Sequence, residues 1–271
     1  MKNSKKHVVA IIQARMGSAR LPGKVLADIC NRPSIWHIVD RLKRVEEIGE
    51  VVVATSTNKE NDVLEEYCRS ELISCFRGSE NDVVDRFYQA AKYYKADVIV
   101  RITGDCPLID PWTVSRVINA YFEDGAQFDY VHNAAGTAMF NKSINKYPIG
   151  TSAEVIPFSS LERAWKEAVD PLERGEGFPC YFWRKDNVFN CKTIPCFIDC
   201  GNMRWTLDHP DDLEFIRKVY ERLYMAGRCF SMNDVLRLLE TEPELSKINK
   251  FWIGKEGNER YFNSSGDHSC R

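Results

Sequence analysis

The first 122 residues alternate between short apolar segments and longer segments with helical apolar spacing. The apolar segments predict four strands, at residues 8–12, 50–55, 74–76 and 96–102. The helical spacing predicts four helices, at residues 34–45, 60–70, 82–94 and 110–122. Strands that are apolar throughout and are separated by helices are typical of a parallel sheet with helices on both faces. We therefore expect an α/β fold whose ligands bind beyond the carboxyl ends of the strands.

The rest of the sequence is less regular. It predicts a loop-rich stretch, an extended segment, a helix, a Pro- and Gly-rich loop and two more helices, at residues 124–143, 146–156, 159–168, 170–179, 211–224 and 231–239. Ser159 resembles the start of a capping box. The polar ends, residues 1–7 and 263–271, are expected to be disordered, which leaves a single domain over residues 8–262.

Overall composition is that of an ordinary globular protein. The net charge is −2 and 28% of the residues are charged, so bulk charge gives no sign of a nucleic-acid partner or a membrane surface. No apolar run could span a bilayer, and the one near the N-terminus is too short for a signal peptide, so we expect a cytoplasmic protein. The ten cysteines are scattered without a C-x-x-C pair and are expected to be reduced thiols.

The loop after the first strand carries three cations, Arg15, Arg20 and Lys24, among small residues and Pro. Glycine lets the backbone approach an anion closely and fixed cations neutralise it, so the loop is suited to holding a polyphosphate. Its spacing matches neither a P-loop nor a G-x-G-x-x-G fingerprint. A basic surface loop with solvated cations explains the pattern equally well.

Two aspartates are candidate magnesium ligands at the same edge of the sheet. Asp105 directly follows the fourth strand, and Asp208 precedes a strongly amphipathic helix. Mg²⁺ held against nucleotide phosphates takes one or two protein carboxylates. As alternatives, Asp105 caps the next helix or bonds within its own turn, and Asp208 is an N-cap. We assign Asp211 and Asp212 to the helix start, and His209 to a solvated position.

Residues 12–26 (IQARMGSARLPGKVL) closely resemble the opening motif of the cytidylyltransferases that make CMP-activated sugar acids. Within that family the chain resembles the SpsF-like branch of spore-coat polysaccharide biosynthesis. Shorter motifs in the same order extend the resemblance over about residues 8–224; they are VVATS at 52–56, FRGS at 76–79, VRITGDCPLID at 100–110 and RWTLDHPDDL at 204–213.

The resemblance implies a three-layer α/β/α nucleotide-diphospho-sugar transferase fold with a mainly parallel sheet, usually a homodimer. The implied reaction transfers CMP from CTP to a sugar-like acceptor, releases pyrophosphate and uses Mg²⁺, with no nucleic acid or membrane as partner. The acceptor and dimer elements would lie in about residues 124–200.

Individual roles follow from matching these motifs. The implied nucleotide site consists of Ala14, Arg15, Gly17, Ser18, Arg20, Lys24, Ala54, Thr55, Ser79, Thr103 and Asp105. Arg15, Ser18, Arg20 and Lys24 would hold the triphosphate. Of these, Arg15, Arg20 and Lys24 are the catalytic candidates, and Arg20 and Lys24 can offset charge on the leaving pyrophosphate. Asp105 and Asp208 would hold Mg²⁺. Tyr147 and Glu154 are expected on the acceptor side, and Ser79 alternatively belongs to a capped helix start.

Two departures from the family pattern lie on the acceptor side. Relatives often carry R-E-H-V-T where residues 174–179 read RGEGFP, and Ser152 stands where an acidic residue is common. The acceptor therefore stays open among a nonulosonic or octulosonic acid, another sugar and an alditol phosphate. Two other functions also stay open. They are a glycosyltransferase on the same sheet, which the lack of a D-x-D motif disfavours, and a catalytically inactive nucleotide-binding protein.

Overall fold

The computed structural model describes residues 6–123, 125–135, 144–183 and 188–255. The polar tail at 263–271 and residues 1–5 of the N-terminal segment lie outside the described residues. The backbone N of His7, which is described, donates to Asp97 Oδ2 at 2.7 Å. Within the described ranges, none of the helices has the length and apolar character needed to cross a membrane.

The elements follow one another along the chain in an α/β pattern. The strands are β1 (Val8–Gln13), β2 (Asp28–Ile29), β3 (Arg32–Pro33), β4 (Glu50–Ser56), β5 (Ser74–Gly78), β6 (Val98–Thr103), β7 (Tyr130–Asn133), β8 (Glu154–Pro157) and β9 (Cys191–Ile194). The α-helices are α1 (Ser34–Leu42), α2 (Asp62–Ser70), α3 (Val83–Tyr93), α4 (Pro111–Glu123), α5 (Phe158–Glu167), α6 (Pro171–Arg174), α7 (Cys180–Trp183), α8 (Pro210–Leu223) and α9 (Met232–Thr241). Short 3₁₀ helices cover Lys24–Leu26, Lys59–Asn61, Pro243–Lys247 and Lys250–Trp252.

Seven strands form one sheet in the order β5-β4-β1-β6-β8-β7-β9. The pairs β5–β4, β4–β1, β1–β6 and β7–β9 are parallel, whereas β8 is antiparallel to both of its neighbours. The predicted parallel sheet is thus confirmed except at β8. Because β1, β4, β5 and β6 run in the same direction, the loops that follow them meet at one edge.

The apolar strands are buried on both faces of the sheet, as their sequences predicted. In β1, Ala10 and Ile12 pack on one side in a cluster that includes α1, α2 and α4. Val9 and Ile11 pack on the other side with α3 and α5. A third cluster joins α8 and α9 around Trp205. The three-layer α/β/α architecture is therefore confirmed, with the helices of the third cluster beside the sheet edge.

Some local predictions were wrong for identifiable reasons. The strands β7 and β9 were not predicted, because each has only four residues, too few to show a period. β7 lies in the stretch at 124–143 that was predicted to be loop-rich. Residues 136–143 of that stretch lie outside the described residues. The predicted loop at 170–179 contains α6, whose Arg174 Nε donates to Asp82 Oδ2 at 2.7 Å. Ser159 does not cap α5, because that helix already begins at Phe158 after the extended Pro157.

Two glycines allow close backbone approaches at the carboxyl edge. A Cβ on Gly104 would lie 2.9 Å from Gln13 O, where the ends of β1 and β6 meet. Gly150 has φ +92°, and a Cβ there would lie 2.3 Å from the backbone N of Thr206. The segment before Gly150 bonds to the segment before Asp208, since Trp205 N donates to Ile149 O at 2.7 Å. Gly150 therefore lets the chain that carries Asp208 approach the sheet.

We predict that Gly150→Ala destabilises the protein by about 3 kcal/mol, because it adds an overpacked Cβ to an unfavourable positive φ. Gly227→Ala is the matched control: its φ is +81°, and a Cβ there would have no neighbour within 4 Å. The control should lose only about 1 kcal/mol, the cost of φ alone. Urea unfolding measures both free energies, and equal losses in the two variants would contradict the close approach.

Candidate active site

The loop after β1 is fixed by hydrogen bonds at its start and at its end. Met16 N donates to Asn61 Oδ1 at 2.8 Å, and Asn61 Nδ2 donates to Ser56 Oγ at 2.8 Å. Gly23 N closes the loop on Met16 O at 3.1 Å. Gly23 has φ +71° and precedes the 3₁₀ turn that begins at Lys24. The backbone at Lys24 is therefore held in place.

Lys24 joins the two candidate aspartates. Its Nζ lies 3.2 Å from Asp105 Oδ2 and 2.7 Å from Asp208 Oδ1. Arg20 Nη2 lies 2.9 Å from the same Asp208 oxygen. The two aspartate segments are tied through their backbones, because Leu207 N donates to Asp105 O at 2.8 Å. Residues separated by more than 180 positions in sequence thus form one charged cluster, which we call the Lys24 cluster (Arg20, Lys24, Asp105, Asp208).

Both Lys24 and Asp105 are held in their charged forms. Burial by itself lowers the pKa of Lys24, but the attraction of Asp105 and Asp208 outweighs it and raises that pKa above its ordinary value. Burial by itself raises the pKa of Asp105. The charge of Lys24, together with hydrogen bonds from Thr103 and Cys106, outweighs it and lowers that pKa to about 2.

Other residues cap the helices next to the two aspartates. Asp110 Oδ2 accepts from Thr113 N at 2.9 Å at the start of α4, so the capping role considered for Asp105 belongs to Asp110. At the start of α8, His209 is the N-cap residue and Asp212 completes the capping box. The carboxylates of Asp105 and Asp208 instead face the cations of the loop after β1.

The turn that carries Asp208 is built around the buried pair Arg204–Asp212. Arg204 Nε and Nη2 each donate to Asp212 at 2.9 Å, and Arg204 Nη2 also lies 3.4 Å from Asp208 Oδ2. Asp212 Oδ2 accepts from the backbone N of Asp208 at 3.0 Å and of His209 at 2.9 Å. His209 was expected to be solvated, but it is buried and its ring stacks on Trp252.

Arg15 is engaged by two carboxylates. Its Nη1 donates to Glu80 Oε1 at 2.7 Å, and its Nη2 donates to Glu176 Oε1 in the segment after α6. Burial by itself lowers the pKa of Arg15, and these two carboxylates, with a smaller contribution from Glu60, raise it. The Arg15 side chain is 38% exposed and lines the cavity described below, so a ligand can reach it.

These groups line a cavity of about 560 Å³ at the carboxyl edge of the sheet. The predicted residues that line it are Ala14, Arg15, Gly17, Ser18, Arg20, Lys24, Thr103, Asp105, Glu154 and Asp208. The structure brings the predicted phosphate and metal residues and one of the two acceptor-side residues, Glu154, to one cavity, and their individual roles stay predictions.

Four predicted residues lie away from the cavity wall. Ala54 and Thr55 are fully buried in β4. Ser79 Oγ accepts from Asp82 N at 3.0 Å at the start of α3, which matches the capped-helix alternative. Tyr147 is buried, and its hydroxyl accepts from an arginine, Arg116 Nη1, at 2.6 Å.

The wall of the cavity formed by β6 and β8 contains a buried ion pair. Arg101 and Glu154 are directly opposite in the strand register, and Arg101 Nη1 donates to Glu154 Oε1 at 2.8 Å. Arg101 Nη2 donates to Gln13 Oε1 at 3.2 Å and to Glu176 O at 3.1 Å. Glu154 Oε2 is buried and has no hydrogen-bond partner among the described residues. We call this wall, Gln13, Arg101, Glu154 and Glu176, the β6–β8 wall.

Sequence reasoning missed Arg101, Gln13 and Glu176 as site residues. A signal for Arg101 was present, since it is the one charged residue in the otherwise apolar run VIVRI at 98–102. A charge in a strand buried on both faces requires a partner, which Glu154 supplies. Glu176 gave no comparable signal, because it reaches Arg15 only through the fold.

The donor set of the Lys24 cluster fits a magnesium ion. Asp105 and Asp208 both contact the ammonium group of Lys24. Their carboxylates therefore face a common point, at which this positively charged group lies. Carboxylate oxygens are the ligands that Mg²⁺ prefers, and one or two of them suffice when substrate phosphates complete the shell. Asp105 and Asp208 are therefore the residues that would hold Mg²⁺.

The lowered pKa of Asp105 predicts a specific loss of stability in acid. A carboxylate with a folded pKa of about 2 and an unfolded value near 3.9 stabilises the fold above pH 4 and loses this contribution as the pH falls toward 2. We expect Asp105→Asn to lack that contribution of about 2 kcal/mol. The difference in unfolding free energy between the wild type and Asp105→Asn should shrink by this amount between pH 5 and pH 2 in urea titrations. A difference independent of pH would contradict the charge coupling.

Known proteins share both the sequence and the fold. Residues 9–228 match the protein family described as cytidylyltransferase. The chain is 32% identical over 244 residues to the uncharacterized protein MJ1063 of Methanocaldococcus jannaschii, covering 89% of this chain and 94% of that protein. It is 29% identical over 245 residues to the spore coat polysaccharide biosynthesis protein SpsF of Bacillus subtilis, covering 88% and 95%.

Two further similarities concern a shorter region and a solved structure. A 3-deoxy-manno-octulosonate cytidylyltransferase of Trichlorobacter lovleyi is 37% identical over 114 residues, which cover 42% of this chain and 44% of that protein. The structure of a cytidylyltransferase from Leptospira borgpetersenii superposes with a TM-score of 0.80 at 29% identity, covering 89% of this chain and 97% of that chain. The family match spans the loop after β1, the end of β6 and the turn at Asp208. This chain belongs to the cytidylyltransferase family.

Proposed function

We propose that the protein transfers CMP from CTP to a hydroxyl of a sugar acid or a related sugar-like acceptor and releases pyrophosphate, in the synthesis of a surface polysaccharide or other glycan. The observation that carries this proposal is the Lys24 cluster, in which cations and two carboxylates converge at the carboxyl edge of the sheet. A magnesium–triphosphate complex needs both signs of charge. The names of the SpsF and octulosonate relatives support the polysaccharide context and the sugar-acid acceptor.

The reaction forms a bond from an acceptor oxygen to the α-phosphorus and breaks the bond from that phosphorus to the pyrophosphate oxygen. Such phosphoryl chemistry depends on positioning and charge neutralisation rather than on a covalent intermediate with the protein. Mg²⁺ bound by Asp105 and Asp208 would neutralise phosphate charge and lower the pKa of the attacking hydroxyl. Arg20 and Lys24, which lie against Asp208, then offset charge on the leaving group. We assign no protein side chain as general base.

The β6–β8 wall supports a hydroxyl-rich acceptor. Glu154 Oε2 is a buried carboxylate oxygen without a partner among the described residues, and it lines the cavity. A sugar hydroxyl can donate to it and remove the cost of leaving that oxygen unbonded. Arg101 donates to Glu154, Gln13 and the backbone oxygen of Glu176, and these contacts hold the Glu154 carboxylate in place. We further propose a homodimer, on the family resemblance alone.

We predict that Asp105→Ala and Lys24→Ala each lower CTP-dependent pyrophosphate release by at least about 100-fold, the loss typical of removing one electrostatic contact to a transition state. The assay uses Mg²⁺ and a panel of sugar acids, neutral sugars and polyol phosphates. Lys43→Ala, at an exposed lysine after α1, is the control and should retain wild-type turnover.

Three results would contradict the proposal. Turnover with another nucleotide but not with CTP would exclude the cytidine assignment. CTP binding by calorimetry without turnover on any acceptor would favour the catalytically inactive alternative. Full activity in Asp105→Ala would remove the Lys24 cluster from the reaction.

A second prediction concerns Arg15. Because Glu176 holds Arg15 Nη2, the triphosphate and Glu176 compete for the same guanidinium. We expect Glu176→Gln to raise the affinity for CTP about two- to fivefold, the size of one exposed ion pair. Glu173→Gln makes the same charge change on α6 and should leave the affinity unchanged. Weaker CTP binding in Glu176→Gln, measured by titration calorimetry, would show that Glu176 supports the nucleotide instead of competing with it.

A further inference from the structure

The chain beyond the family match returns to the turn that carries Asp208. The match ends at residue 228, before α9 and the two 3₁₀ helices Pro243–Lys247 and Lys250–Trp252. Asn249 lies between these two short helices, and Trp252 lies in the second one. Both residues contact the turn that carries Asp208. We call residues 248–252 the C-terminal brace.

Asn249 completes a buried ring of hydrogen bonds with Arg204 and Asp212. Its Nδ2 donates to Arg204 O at 2.9 Å and to Asp212 Oδ1 at 2.9 Å. Arg204 Nε donates to the same Asp212 oxygen at 2.9 Å, which closes the ring. All three residues are at most 2% exposed, so each polar contact is made where water cannot replace it.

Asp212 connects this hydrogen-bond ring to Asp208. Its second oxygen, Oδ2, accepts from the backbone N of Asp208 and of His209. The position of Asp212 therefore determines the position of the backbone that carries the Asp208 carboxylate. Arg204 acts on the side chain as well, since its Nη2 lies 3.4 Å from Asp208 Oδ2. A shift of Asp212 therefore moves Asp208 relative to Asp105 and Lys24.

Trp252 contacts the same turn at two residues, His209 and Asp211. Its ring stacks on His209 with the centroids 3.6 Å apart and the planes 5° from parallel. Its Nε1 donates to Asp211 Oδ2 at 3.0 Å. The stack and this hydrogen bond hold His209 and Asp211, which follow Asp208 in the same turn, whereas the hydrogen-bond ring of Asn249, Arg204 and Asp212 is buried.

We propose that Asn249 and Trp252 are positioning residues that hold Asp208 at the place where it binds the metal–triphosphate complex. This inference rests on the proposed function, because it assumes that Asp208 is a metal ligand. Neither side chain lines the cavity, so both act through the turn 204–212 and not by touching the substrate. Groups that orient a metal ligand affect metal affinity about 10- to 100-fold when they are removed.

The test measures how CTP binding depends on Mg²⁺, by titration calorimetry over a series of Mg²⁺ concentrations. For Asn249→Ala we expect the half-saturating Mg²⁺ concentration to rise about tenfold, while CTP affinity in EDTA stays at the wild-type value. Trp252→Leu should shift it in the same direction, and it serves as the independent variant if Asn249→Ala does not fold. Mn²⁺ binding in the presence of CTP, followed by electron paramagnetic resonance, gives the metal affinity directly.

Leu245→Ala separates positioning from general loss of stability. Leu245 is buried in the cluster of α8 and α9 and is not part of the brace, so its truncation destabilises the same region. We expect it to leave the Mg²⁺ requirement unchanged. A wild-type Mg²⁺ requirement in both Asn249→Ala and Trp252→Leu, or an equal shift in Leu245→Ala, would overturn the inference and leave the proposed function intact. Wild-type CTP binding that is independent of Mg²⁺ would overturn the inference together with the metal role in the proposed function.

Discussion

The candidate site depends on the parallel pairing of β1 with β6. This pairing brings the end of β1 against Gly104, where only a residue without a side chain fits beside Gln13 and Ala14. The loop that carries Lys24 follows the end of β1, and the turn that carries Asp105 follows the end of β6. The Lys24 ammonium and the Asp105 carboxylate therefore meet at the same point. Charged groups that the backbone holds in place need no reorganisation when a polyphosphate binds.

Charge balance inside the cavity explains how so many ionic groups lie close together there. In the Lys24 cluster each carboxylate contacts a cation, and on the β6–β8 wall Arg101 contacts Glu154. A buried ion pair adds little net stability, whereas a buried charge without a partner is costly. In the proposed function, an incoming metal and triphosphate would exchange partners with these paired groups.

The sequence predicted those parts of the site that depend on strand ends. Lys24 and Asp105 each follow a buried strand of a parallel sheet, so their meeting at one edge was predictable. The partner of Arg101 was not, because its contact with Glu154 requires β8 to run antiparallel to β6. The stacking of His209 on Trp252 likewise joins residues more than 40 positions apart, and no local pattern specifies such a contact.

The most direct test is a crystal structure with CTP and Mn²⁺, using the anomalous signal of manganese to locate the metal. We predict a manganese peak in contact with carboxylate oxygens of both Asp105 and Asp208, with the triphosphate against Arg20 and Lys24. A metal bound elsewhere, with CTP present and the Lys24 ammonium still between the two aspartates, would contradict the assignment of this cluster as the catalytic centre.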